Sequence, residues 1–148
     1  MGSVMITVIH DNERENRNMV EFAGIAISQL NFVADRKIVI DITQFDSQNS
    51  INRTTVTTLG DLITLPDQFT VRVQKGLPSA VQAVTICHEL IHVHQIITGK
   101  LSVSAIDGWL WNGEYYSTSS KYDERPWEIL AREQERPLLH SVLKEYRS

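Results

Sequence analysis

The chain reads as a mixed α+β domain, and three features of the sequence predict it. Short β-branched runs alternate with stretches whose apolar residues fall at helical spacing, in the order strand, helix, several strands, helix, hairpin, helix. The 148 residues suit one domain with a real core. No repeat, low-complexity tract or interdomain linker breaks the pattern.

Val4 to His10 is short and β-branched and predicts a strand, with the polar run Asp11 to Asn18 as the loop after it. Val20, Ala23, Ile27 and Leu30 recur at helical spacing and predict an amphipathic helix over Met19 to Phe32. Lys37 to Thr43 is the next strand, and Ser47 to Asn52 is turn-like. Arg53 to Leu65, rich in Thr, Val and Ile and interrupted by Gly60-Asp61, predicts a hairpin or two short strands. Phe69 to Gln74 alternates apolar and polar residues as a half-buried strand does.

Pro78 then starts a helix that runs to about Thr98, with Gly99 as its stop. Gly108 to Tyr116 predicts a hairpin turning at Asn112-Gly113, and Ser117 to Ser120 is a loop. Pro126 opens a last helix, which Pro137 is expected to interrupt because it lacks a backbone donor.

Bulk composition excludes several classes of function. At 42% hydrophobic and 22% charged, the chain should fold as a soluble globule. The net charge of −4 speaks against nucleic acid as a partner, since phosphate binding needs a basic surface. No apolar run reaches membrane-spanning length, so no membrane partner is expected. The first residues lack a basic segment followed by a long apolar stretch, so no secretory signal is expected. The single cysteine, Cys87, excludes an internal disulfide and fits a reducing, cytoplasmic compartment.

The chemistry sits on the central helix. Ser79 to Thr98 is apolar nearly all round, yet it carries His88-Glu89-Leu90-Ile91-His92. Residues four apart stack on one helix face about 40° apart, so His88 and His92 can present nitrogens to one tetrahedral metal. Glu89 is rotated about 100° from His88, which places it beside the metal and within reach of a water. Chance produces this pattern in on the order of one chain in a few hundred. Against chance stands a cost of several kcal/mol for each buried polar group that lacks a partner. A metal is such a partner. His94 points to nearly the opposite face and is not an expected ligand. Cys87 faces away and reads as a small buried hydrophobe. His10 and His140 stay unassigned.

A catalytic zinc takes three protein ligands and leaves one position open. A metzincin would carry Gly at 95 and His at 98, where this chain has Gln95 and Thr98. The third ligand is therefore sought downstream. Glu128 stands in the first turn of the helix that Pro126 opens, with Trp127 before it and the small Ala131 after it. An acid there also complements the helix dipole with no metal present. Glu124, Glu133, Glu135, Asp107 and Asp123 remain alternatives.

These residues together resemble small zincin-like metallopeptidases of the gluzincin type, including ones encoded in phage genomes. The resemblance rests on His88-Glu89-Leu90-Ile91-His92, Trp111-Asn112-Gly113, Tyr122 and Pro126-Trp127-Glu128, and covers about a third of the chain. It implies a minimal zincin-like fold, a zinc ion, and hydrolysis of a peptide or amide bond in a peptide or protein substrate. Glu89 would be the general base on a zinc-bound water, and Glu128 the third ligand. Leu130 departs from the pattern, since such sequences often carry a second acid there; Glu135 is the nearby acid that would take its place. The gluzincin Asn-Glu-x-x-Ser-Asp signature is missing. Tyr116 or Tyr122 would supply a phenol to the oxyanion, unless each is only a packed aromatic. Phe69 to Gln74 would be the edge strand that receives an extended substrate. The alternative is a non-enzymatic zincin-like module, such as a virion component, that keeps zinc for structure; a metal-free α+β protein is the remaining rival.

Overall fold

The computed structural model describes residues 4–9, 13–31, 38–45, 60–65, 68–74, 76–103, 108–117 and 119–146. Its elements are β1 (Val4–Ile9), α1 (Glu13–Leu30), β2 (Ile38–Phe45), β3 (Gly60–Leu65), β4 (Gln68–Gln74), α2 (Ser79–Ile97), β5 (Leu101–Val103), β6 (Gly108–Trp111), β7 (Glu114–Ser117) and α3 (Pro126–Tyr146). A short 3-10 turn at Tyr122–Glu124 precedes α3. The class is mixed α+β. The predicted turn over Ser47 to Asn52 and the first half of the predicted Arg53–Leu65 hairpin lie outside the described residues, as do His10 and Asp107.

The larger sheet has the order β1-β2-β4-β3, with β1, β2 and β4 parallel and β3 antiparallel to β4. Alternate side chains of a strand share a face. Ile40 and Ile42 of β2 therefore stand opposite Phe69 and Val71 of β4, Ile38 and Val73 extend the two rows, and all six are buried. Met19, Phe22, Ala23, Ala26 and Ile27 form the facing stripe of α1, at the spacing of an amphipathic helix. Ile86, Cys87, Leu90 and Val93 of α2 and Val142 of α3 complete the same core. Fully burying each large aliphatic side chain contributes about 1.5–3 kcal/mol, so this layer is the main source of stability. The three helices pack pairwise on one another. Among the described residues no helix is long and apolar enough to cross a membrane.

Four expectations are corrected. Helix α1 begins at Glu13, inside the polar run expected to form a loop. Apolar periodicity marks where a helix meets the core, while its backbone hydrogen bonds can begin earlier. Gly60-Asp61, expected as an interruption, is instead paired strand at the start of β3, opposite Val73 and Arg72. Consequently β4 is not an edge strand: it lies between β2 and β3, and β3 is the outermost strand on that side among the described residues. Alternation reports a buried and a less buried face and says nothing of lateral neighbours. Finally, α3 runs through Pro137 without a break. An interior proline costs about 3 kcal/mol or more, here offset by Leu138, Leu139, Val142 and Leu143 packing into the core beyond it.

Helix α2 ends as its sequence requires. Gly99 takes the left-handed conformation at φ 81°. The Lys100 amide donates to the Gln95 carbonyl and the Gly99 amide to that of Ile96, which is a Schellman cap.

The second sheet, β5-β6-β7, is antiparallel throughout. Its hairpin turns at Asn112 and Gly113, both at positive φ, as a type I′ turn demands. Trp109, Trp111 and Tyr116 project from one face of this sheet and enclose Trp127, with ring centroids 5.4, 6.3 and 5.3 Å away. Gly108 opens the hairpin at φ 141°, and a Cβ there would strike the Tyr116 carbonyl oxygen. Gly108→Ala is therefore expected to destabilise the protein by more than about 1 kcal/mol in urea unfolding. An unchanged midpoint would show that the hairpin relaxes without loss.

Candidate metal centre

Two helices build the site. On α2, His92 and Glu89 are buried and His88 is partly buried, so the pattern sits where α2 meets the rest of the domain. On α3, Pro126 occupies the first helical position, where its missing amide hydrogen is no loss. Arg125 fixes the approach to that turn. Its guanidinium donates to the Ser120 carbonyl at 2.9 Å and lies 4.4 Å above the Trp109 ring. Trp127 enters the aromatic enclosure, and Glu128, the next residue, is directed at α2.

Three atoms converge there. His92 Nε2 lies 3.1 Å from His88 Nε2, and Glu128 Oε1 lies 3.1 Å from the first histidine and 2.9 Å from the second. His88, His92 and Glu128 form a group that could hold a metal ion. Ligands about 2.0–2.1 Å from a tetrahedral metal stand about 3.3–3.4 Å apart, so shifts of a few tenths of an ångström would admit one. The donors fit.

The far sides of both rings are also held. His88 Nδ1 is 2.7 Å from Glu135 Oε2, and His92 Nδ1 is 2.8 Å from Gln95 Oε1. Each Nδ1 with its hydrogen on an acceptor leaves the Nε2 lone pair directed at the centre, the arrangement usual for ligating histidines.

Electrostatics points the same way. Burial alone pushes His88 and His92 down in pKa. The hydrogen bond to Glu128, the charge of Glu89 and, at His88, the contact with Glu135 outweigh burial and leave His88 at about 9. His92 is also raised, chiefly by its bond to Glu128 and that carboxylate's charge. Burial would raise Glu128, but the two histidines and Tyr122 hold it well below the usual carboxylate range. The space between these groups favours positive charge.

Of the residues singled out in the sequence, His88, His92, Glu128 and Tyr122 meet directly. The Tyr122 hydroxyl is 3.5 Å from His88 Nε2 and hydrogen-bonds Glu128. Burial, followed by the Glu128 carboxylate, raises its pKa and keeps it protonated. Glu89 is close enough for its charge to act on His88, His92 and Tyr122. Tyr116 is placed elsewhere: it packs edge-on against Trp127, and its hydroxyl pairs with Glu114. His94 is not a member of the group, and Asp123 pairs with Arg132 at 2.9 Å. Glu124 and Glu133 are exposed. Cys87 is a buried thiol, pushed up to about 12 by burial and the Glu135 charge.

Sequence reasoning misses Gln95, whose one signal is a polar residue a turn after His92 on an apolar helix. It reaches Glu135 as an alternative third ligand and as a replacement for the acid missing at Leu130, without its contact to His88 Nδ1.

Comparison with protein-family models, with curated proteins and with solved structures gives no match. The reading of the site therefore rests on its own chemistry.

That chemistry has a pH signature in the metal-free protein. A histidine pKa raised on folding stabilises fully below its unfolded value of 6.5, and for His88 that stabilisation is lost as pH rises through about 9. Imidazole titration by NMR in the metal-free protein should place the His88 midpoint near 9. A midpoint near 6.5 would mean that the carboxylates do not reach it in solution. Metal affinity should rise over the same interval, because a ligating imidazole must be neutral.

Proposed function

We propose that this chain is a zinc-dependent hydrolase with a minimal zincin-like fold, acting on a peptide or amide bond. The observation that carries the reading is the convergence of His88 Nε2, His92 Nε2 and Glu128 Oε1, with a carboxylate and a phenol beside them. Two neutral imidazoles and one carboxylate suit a hydrolytic zinc, which keeps one position open. Zinc supplies Lewis acidity: it polarises a carbonyl and makes water acidic enough to attack near neutral pH.

The chain's own groups do the rest. The Glu89 carboxylate takes the proton of the attacking water and returns it to the leaving amine. Its pitch on α2, about 100° from His88, suits it to water and not to ligation. The Tyr122 hydroxyl, held protonated, donates toward the carbonyl oxygen as negative charge develops there. Glu135 keeps the His88 ring oriented through Nδ1. An extended substrate would add along β3, the outermost strand among the described residues, since α2 packs against both β3 and β4.

Metal analysis after equilibration with zinc should find about one ion per chain, lost in His88→Ala and in His92→Ala. Equal metal content in all three proteins would end the proposal. Glu89→Gln should keep the zinc while abolishing cleavage of a fluorogenic peptide library. Zinc retention with no cleavage by the wild type would support the alternative, a zincin-like interaction module with a structural ion. Glu89→Gln with full activity would overturn the assigned base.

A further inference from the structure

We propose that Gln95 is a positioning residue that couples the second histidine of the centre to its third ligand. The inference rests on His88, His92 and Glu128 being the metal ligands, as proposed above, and concerns what keeps ligands from two different helices in register.

Gln95 is only 5% exposed, and both ends of its amide are engaged. Its Oε1 lies 2.8 Å from His92 Nδ1, and its Nε2 donates to the Trp127 carbonyl at 3.2 Å. Trp127 is the residue immediately before Glu128. One side chain thus touches the ring of one ligand and the backbone that carries another.

The Trp127 carbonyl also decides which way the amide faces. A carbonyl oxygen only accepts, so the NH₂ of Gln95 must face it. The reversed amide would set two acceptors against each other in a buried site. With the NH₂ committed, Oε1 faces His92 and accepts from Nδ1–H. The neutral ring then has its lone pair on Nε2, the nitrogen 2.9 Å from Glu128. Through Gln95, the backbone of α3 selects the tautomer of a ligand on α2.

The root of the side chain is fixed as well. The Gln95 carbonyl accepts from the Lys100 amide and from the Thr98 hydroxyl, in the capped last turn of α2. Glu135 has a narrower role, since its described contact is with His88 alone and its side chain is 22% exposed.

The test compares wild type with Gln95→Met and Gln95→Asn. Methionine matches the length and volume of glutamine but forms neither hydrogen bond; asparagine is one methylene too short to span both partners. Zinc affinity, measured by competition with a chromophoric chelator, should fall about 10–100-fold in each variant. In the zinc-loaded wild type, NMR should show the His92 Nδ1–H as a downfield proton in slow exchange with water. In Gln95→Met it should shift upfield and exchange faster, a change that a mere packing role would not produce. If Gln95→Met does not fold, the same two measurements on Gln95→Asn decide the matter. Wild-type affinity and an unmoved Nδ1–H in a folded variant would overturn the inference and leave the three-ligand reading intact. A wild type that binds no zinc would overturn both.

Discussion

Trp127 stands at 3% exposure between the β6–β7 hairpin and Ile96 of α2, and the geometry of the centre follows from where that ring is held. Two histidines on one helix need no tertiary structure to come together, because the helix repeat does it. The third ligand has no such help. It arrives on α3, whose start is set by Pro126, by the Arg125 contacts to Ser120 and Trp109, and by burial of Trp127. Ala131, fully buried one turn later, offers almost no bulk at that point of α3. The hairpin that encloses Trp127 is in this sense part of the metal centre, although none of its residues touches the ligands in the described contacts.

The second constraint is charge. Glu89, Glu128 and Glu135 surround two imidazoles on a helix that is otherwise nearly apolar. Removing carboxylates from water is costly unless opposite charge and hydrogen bonds answer them. In the metal-free protein a proton on imidazole supplies part of that answer, which is why both histidine pKa values rise. A divalent cation would supply more charge at the same point and release those protons. The outer contacts on each Nδ1 then serve two ends: they satisfy buried polar groups and fix the rings with Nε2 facing inward.

Much of this is legible in the sequence because it is local. Helical spacing brings His88 and His92 together on one face of α2, and the proline at 126 locates the helix that brings Glu128 to them. The Asn112-Gly113 turn and the Gly99 cap are readable from backbone preference alone. Lateral and long-range relations are not. Strand β5 is three residues long, too short for any period to show, and the place of β4 inside the sheet depends on a partner, β3, with weak signals. Helix α3 continues through Pro137 because of core contacts that lie far away in sequence. Tyr116 and Tyr122 are equivalent as phenols in the sequence, and only the packing of Trp127 separates a wall of the aromatic enclosure from a neighbour of the ligands. Gln95 shows in the sequence only as a polar residue on an apolar helix, and its role stays hidden because its partners include the backbone of another helix.

X-ray absorption spectroscopy of the zinc-loaded protein tests the three-ligand centre most directly. A centre of His88, His92 and Glu128 requires a first shell of nitrogen and oxygen only, at about 2.0–2.2 Å, with the outer-shell scattering of two imidazoles and room for one carboxylate oxygen. In Glu128→Ala the two imidazoles should persist while one oxygen scatterer is lost or replaced by water at a longer distance. A sulfur shell from Cys87, a shell with one imidazole or three, or a spectrum unchanged by Glu128→Ala would contradict it.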